Sequence, residues 1–183
     1  MKRIFVINPG CTSTKVAVYE DENPVWTSDG LHDPAEIDKF STINEQYEYR
    51  KDFVLNLLKE AGIPLKFDAV IGRGGLLKPL QGGVYAINEL MKKDLWNAKH
   101  QHVCNLGSLI ADEIAHECHC PAFMADPVVV DEMMTRARYT GLPFMKRESI
   151  FHALNAKAAS RRYARSIGKH YEELNLVVAP LGG

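Results

Sequence analysis

Asn8-Pro9-Gly10-Cys11-Thr12-Ser13-Thr14-Lys15 gathers a carboxamide, a thiol, three hydroxyls and an ammonium within eight residues. Consecutive backbone N–H groups beside hydroxyls and a cation suit an oxyanion such as phosphate. The same residues also suit a plain hairpin turn. A Walker A loop is excluded, because no glycine precedes Lys15 and a strand pattern follows where that motif needs a helix. Gly72-Arg73-Gly74-Gly75 sets a guanidinium among residues that let other groups approach the backbone closely. Arginine suits bidentate recognition of carboxylate or phosphate, and a surface turn would use the same letters. Asp126 follows an apolar run and precedes Pro127, where a carboxylate can hold a divalent cation or start a turn. His152, beside Phe151, can face an anionic substrate or serve as a structural histidine. His102 carries a weaker local signal of the same kind. His116-Glu117-Cys118-His119-Cys120 lacks the second, distant ligand pair that structural zinc requires. Lys157, Arg161, Arg162 and Arg165 read as a solvated basic helix face.

Positioning these groups takes strands that end where they begin. Ile4–Ile7 reads as a buried strand, Lys15–Tyr19 alternates with period two, and Val25–Thr27 resumes a strand after Asp21-Glu22-Asn23-Pro24. The opening is therefore a three-stranded antiparallel meander whose first turn carries the Asn-Gly-hydroxyl cluster. Tyr47, Arg50, Phe53, Val54, Leu57, Leu58 and Ala61 recur at helical spacing, closed by Gly62 and Pro64. Phe67–Ile71 is a strand leading into the Arg73 cluster. Asn88 caps a helix to Trp96, and Asn105 caps an amphipathic one through Ala115. Pro121–Ala125 is a strand ending at Asp126. Helices are expected over about Val130–Tyr139 and, capped by Ser149, over Ile150–Ile167. A meander followed by alternating helices and strands predicts an α/β layered domain with a mixed sheet. Ligands in such folds bind at the carboxyl ends of strands, where the Asn8, Arg73 and Asp126 clusters sit.

The chain has 183 residues, 46% of them hydrophobic and 25% charged, which fits one globular domain and excludes a largely disordered chain. A net charge of −1 gives no field that points to nucleic acid or anionic lipid. No apolar run approaches the ~18 residues of a membrane span. Four scattered cysteines suit a reducing cytoplasm. Leu176–Ala179 reads as a strand entering a glycine turn, so the chain is expected to continue beyond Gly183.

Five ordered motifs resemble the acetate and butyrate kinase family: Ile7–Lys15, Ile71-Gly72-Arg73-Gly74-Gly75-Leu76, Asn105-Leu106-Gly107, Asp126–Glu132 and Ser149–Asn155. The Arg-Gly-Gly-Leu-Leu and Phe-His-Ala-Leu-Asn wording is similar to butyrate kinases in particular. The resemblance implies that residues 1–183 are an N-terminal ribonuclease H-like domain of the actin-like ATPase and sugar kinase superfamily, cut near the start of a second domain. It implies a cytoplasmic enzyme that phosphorylates butyrate or a branched-chain acid with ATP, reversibly, by in-line transfer. Acetate or propionate kinase, or a non-catalytic nucleotide-binding module, are the alternatives.

The implied roles are residue-specific. Arg73 orients the carboxylate or neutralises the phosphoryl group; Asp126 and Asn8 hold Mg²⁺ directly or through water. His152 and His102 donate to phosphoryl oxygens. Thr12, Ser13 and Lys15 line the first phosphate loop, Gly182 and Gly183 the second, and Ile71 and Phe151 wall the acyl tail. The implied partners are ATP or ADP and a small carboxylate, with no nucleic acid or membrane, in a homodimer or higher oligomer. Two positions depart from the family. Cys11 stands where serine is usual, and a thiol is the poorer donor. Arg73 aligns with a histidine, while the acetate kinase arginine lies earlier, where this chain has Ala69.

Overall fold

The structure, a computed structural model, describes residues 1–179 and 181. In chain order the elements are β1 (Arg3–Pro9), β2 (Ser13–Glu20), β3 (Asn23–Leu31), α1 (Pro34–Ile37), α2 (Tyr47–Glu60), β4 (Ala69–Gly72), β5 (Val84–Ala86), α3 (Glu89–Trp96), α4 (Cys104–Glu117), β6 (Ala122–Ala125) and α5 (Ala153–Ser166), with short 3₁₀ turns between some of them. They pack as two units, Met1–Lys78 with Gly83–Ala125, and Pro79–Gly82 with Asp126–Gly183.

The first unit is built on a six-stranded mixed sheet of order β3-β2-β1-β4-β6-β5. Strands β1, β2 and β3 form the antiparallel meander, β1, β4 and β6 run parallel, and β5 pairs antiparallel at the edge. Period-two alternation sets the register: Phe5 lies opposite Val18 and Ile7 opposite Val16, all four buried. Each such side chain contributes about 1.5–3 kcal/mol on burial. Parallel neighbours need a crossover: α2 lies in the connection from β1 to β4, and α3 and α4 lie in the connection from β4 to β6. Helix α4 packs against β1, β4 and β6, and every residue from Cys104 to Ala111 is buried. Its approach is close because Gly72 of β4 meets Gly107 of α4; a Cβ on Gly72 would lie 2.4 Å from the Gly107 carbonyl oxygen.

Asn88 caps α3 as its sequence position predicts, its side chain accepting from Met91 N–H at 2.9 Å. Asn105 does not cap α4. It lies inside the helix, fully buried, where its side-chain oxygen accepts from Leu76 N–H at 2.9 Å and its amide reaches the Leu95 and His100 carbonyls. An asparagine favours a cap only when no tertiary partner claims its amide, and here the loop after Arg73 does. Strand β5 has no counterpart in the sequence reading, since three residues after a glycine pair give too short a pattern to show a period.

The second unit holds α5 and the long segment before it. Instead of a helix over Val130–Tyr139 there is one 3₁₀ turn, Thr135–Arg138. Val130 bridges Leu80 in extended form, and Asp131 N–H donates to the Leu80 carbonyl at 2.8 Å, a strand-like use of a β-branched run. Helix α5 begins at Ala153, four residues after the expected cap, because the Ser149 hydroxyl donates to the Val130 carbonyl at 2.7 Å. Leu176–Ala179 form no strand, and Val177 is fully exposed.

Candidate active site

The turn between β1 and β2 is held from behind. Gly10 N–H donates to the Ser13 carbonyl at 2.7 Å. Arg50 of α2, fully buried, donates from Nη1 to the Gly10 carbonyl at 3.0 Å and from Nη2 to the Cys11 carbonyl at 3.2 Å. Its Nη1 also reaches Thr14 Oγ1 at 3.3 Å, and its Nε donates to Gln46 Oε1 at 2.9 Å. With those two carbonyls drawn inward, the N–H groups of Cys11 and Thr12 donate to no acceptor among the described residues. Thr12 is exposed, whereas Thr14 is buried on the core side. Ser13 and Lys15 both engage Asp29 of β3, Lys15 at 2.8 Å, and these two donors hold the Asp29 carboxyl below its ordinary pKa, Lys15 most.

His32 completes the clamp. Its Nε2 lies 3.1 Å from Arg50 Nη1 and 2.8 Å from Thr14 Oγ1, so that nitrogen must accept and the proton sits on Nδ1, facing Tyr49 Oη at 3.3 Å. Burial, then the Arg50 charge, pushes its pKa down from 6.5 to about 4. The unfolded chain therefore binds a proton that the folded chain refuses. Stability is expected to be full above about pH 6.5, to fall as pH drops towards about 4, and to lose no more from this group below that. Thermal melts of the whole protein across that window should show the slope, and His32→Gln should flatten it; an unchanged slope would rule out this linkage.

Asn8 and Arg73 meet at the carboxyl ends of the adjacent parallel strands β1 and β4. Arg73 N–H donates to the Ile7 carbonyl at 2.8 Å, and its Nη1 donates to Asn8 Oδ1 at 3.1 Å. Half-buried Ile71 stands one pleat back on β4, opposite Val6. His102 precedes α4 and supplies the cap that Val103 cannot: its Nδ1 accepts from Cys104 N–H at 3.2 Å. That fixes the neutral ring's proton on Nε2, which points at the exposed Cys11 Sγ, 3.9 Å away. The first unit thus brings Asn8, Cys11, Thr12, Arg73 and His102 to one edge.

In the second unit Asp126 follows β6 directly, buried, in a left-handed conformation with φ of 34°. Lys157 Nζ lies 3.5 Å from its Oδ1 and 2.7 Å from Glu132 Oε1; Arg161 Nη1 is 3.9 Å from its Oδ2. Burial alone would lower the Lys157 pKa, but Glu132 and Asp126 outweigh it and raise it. The basic face of α5 is therefore not simply solvated: the Lys157 side chain is 12% exposed, and Arg161 stacks over Tyr171. Gly82 covers this cluster, its N–H donating to Glu132 Oε1 at 3.1 Å, and a Cβ there would meet Lys157 Nζ at 1.9 Å. His152 occupies the N-cap position of α5, exposed, without a capping bond, next to exposed Phe151. Gly182 and Gly183 lie outside the described residues.

Sequence reading missed Arg50, His32, Glu132 and Lys157. Arg50 carried a signal, a cation at an otherwise apolar helical position, but its partners on the β1–β2 turn lie 36–40 residues away in sequence.

Solved acyl kinases share this fold. Acetate kinase from Porphyromonas gingivalis superposes with a TM-score of 0.63 at 13% identity, covering 93% of this chain and 50% of that one. A propionate kinase from Francisella tularensis gives 0.55 at 15%, covering 92% and 50%. The fold is thus that of the acetate and propionate kinases. In sequence the chain is 67% identical over 181 residues to a probable butyrate kinase of Phocaeicola vulgatus, covering 99% of this chain and 51% of that protein. It is 49% identical over 185 residues to butyrate kinase 1 of Clostridium acetobutylicum, covering 100% and 52%. No family model matches. The chain belongs to the acetate and butyrate kinase family, and it spans about half the length of the curated relatives it matches.

Proposed function

We propose that the whole protein carrying this chain transfers the γ-phosphoryl group of ATP to a short-chain carboxylate, butyrate or a branched-chain acid, giving an acyl phosphate and ADP. The observation that carries this reading is the Arg73–Asn8 pair at the ends of two parallel strands, in a chain that matches butyrate kinases from end to end. A carboxylate oxygen attacks the γ-phosphorus as the bond to the ADP oxygen breaks, and no proton has to move because the acid is already ionised. Such a step asks for alignment and charge neutralisation more than for a base.

Arg73 answers the charge that builds between two anions, and Asn8 keeps its guanidinium from swinging away. The N–H groups of Cys11 and Thr12 and the Thr12 hydroxyl take phosphate oxygens, with Ser13 and Lys15 set against Asp29 beside them. His102 offers Nε2–H, and His152 is the second imidazole donor. Ile71 and Phe151 wall the acyl tail. Gly182 and Gly183 are assigned to a second phosphate loop.

Asp126 is a hard, buried carboxylate, and Mg²⁺ accepts one protein carboxylate completed by phosphate oxygens and water. Asp126 would hold the ion, with Asn8 acting through water. When bound, Mg²⁺ supplies neutralisation of the phosphate charge. Residues 1–183 are proposed as an N-terminal ribonuclease H-like domain of a two-domain cytoplasmic protein that forms a homodimer or higher oligomer. No helix among the described residues is long and apolar enough to cross a membrane.

A coupled acyl phosphate assay of the whole protein with Mg-ATP and acids from acetate to valerate tests the reaction. The rate is expected to peak at butyrate or isobutyrate. A peak at acetate would reassign the substrate, and folded protein with no rate on any acid would overturn the kinase reading.

A further inference from the structure

Arg50 is an unusual residue to bury. Its side chain is fully inaccessible, yet no carboxylate faces it among the described residues. Its acceptors are all neutral: the Gly10 and Cys11 carbonyls, Thr14 Oγ1, Gln46 Oε1 and His32 Nε2. A buried charge without a counter-ion is costly, and an apolar residue of similar volume would pack the same space more cheaply. Five N–H donors in a rigid plane explain how the guanidinium reaches both sides of the turn at once. They do not explain why the charge is kept. His32 supplies no compensating charge: burial, and then the guanidinium beside it, favour the neutral ring, whose Nε2 accepts from Arg50 Nη1 at 3.1 Å.

The charge lies behind the turn whose Cys11 and Thr12 N–H groups donate to no acceptor among the described residues. We infer that Arg50 is a positioning residue for phosphate recognition: it pulls the Gly10 and Cys11 carbonyls inward, turns the N–H groups outward, and lends the turn a positive potential that only an incoming anion offsets. The phosphate group of the nucleotide is the missing counter-ion. Low dielectric on the protein side makes the interaction stronger than it would be in water. This inference rests on the proposed kinase reading and adds a residue that never touches substrate.

The test uses the whole protein with Arg50→Lys and Arg50→Met. Lysine keeps the charge and loses the fork; methionine keeps only the volume. Folding is checked by thermal melts, and two readouts follow: direct binding of Mg-ATP without acid, and steady-state kinetics with each substrate varied. Arg50→Met is expected to weaken ATP binding and raise KM for ATP by about 10²-fold, and Arg50→Lys by about tenfold, while KM for the carboxylate moves less than threefold. A purely structural clamp would lower the melting temperature and leave the ATP constants of the folded fraction alone, and that outcome overturns the inference. If Arg50→Met does not fold, Arg50→Lys decides in the same way. The binding readout separates this inference from the kinase reading: a wild-type protein that binds ATP and phosphorylates no acid sinks the latter only.

Discussion

Arg73→Ala in the whole protein is expected to cut kcat/KM for acyl phosphate formation by about 10²–10³-fold, the loss that follows when one oriented donor is taken from a transferring anion. The expectation comes from how firmly the side chain is placed. Its main chain is tied to β1 by the bond to the Ile7 carbonyl, and its guanidinium is held by Asn8 at 3.1 Å. Loops of glycine seldom fix an arginine; this one is fixed because Gly107 of α4 lies against it, so closely that a Cβ on Gly107 would sit 2.5 Å from the Arg73 carbonyl oxygen. Arg73→Lys should recover part of the loss by restoring charge without the planar fork. Rates near wild type for Arg73→Ala would remove the residue from the chemistry and leave it a structural cap on β1.

The largest loss of stability is expected from Gly72→Val. A Cβ at position 72 would stand 2.4 Å from the Gly107 carbonyl oxygen and 2.6 Å from Ser108 Cα, both backbone atoms that no side-chain rotation can clear. Helix α4 would have to lift from β4, opening contacts made by Leu106, Ile110 and Ile114, which are fully buried. Overpacking of this kind costs about 3 kcal/mol, which lowers the melting temperature by roughly 6–12 °C for 150–250 residues unfolding together and by proportionately less for a longer chain. Because α4 is capped by His102 and braces Arg73, the variant should lose activity below its melting point as well. Thermal unfolding of the whole protein measures the first effect. A shift under 2 °C would mean that the helix yields to the extra methyl groups without strain.

The Gly72–Gly107 contact also shows where sequence reading reached its limit. Both glycines stand in motifs that mark them as special, but nothing local says that each is small for the sake of the other. Asn105 makes the same point from the opposite side. Its type and place beside an amphipathic run predict a cap, while the structure spends its amide on Leu76 and leaves His102 to cap the helix. Val130 reads as the start of a helix, yet it pairs with Leu80, fifty residues earlier.

What the sequence determined by itself is the set of features that act over a few residues. The alternation in β1 and β2 fixes the meander and its turn, Asn88 starts α3, and the apolar runs ending at Gly72 and Ala125 are strands because nothing else buries them so well. The mixed α/β class follows from their order. Tertiary structure alone decided which charged groups belong to a site. Arg50 and Lys157 look like ordinary cations on helices, and burial makes them something else: Arg50 lies behind the phosphate turn, and Lys157 lies between Asp126 and Glu132. The reason is range. Hydrophobic periodicity and capping are settled within one or two turns of chain, whereas the energy of a buried charge depends on partners that the fold collects from anywhere in the sequence.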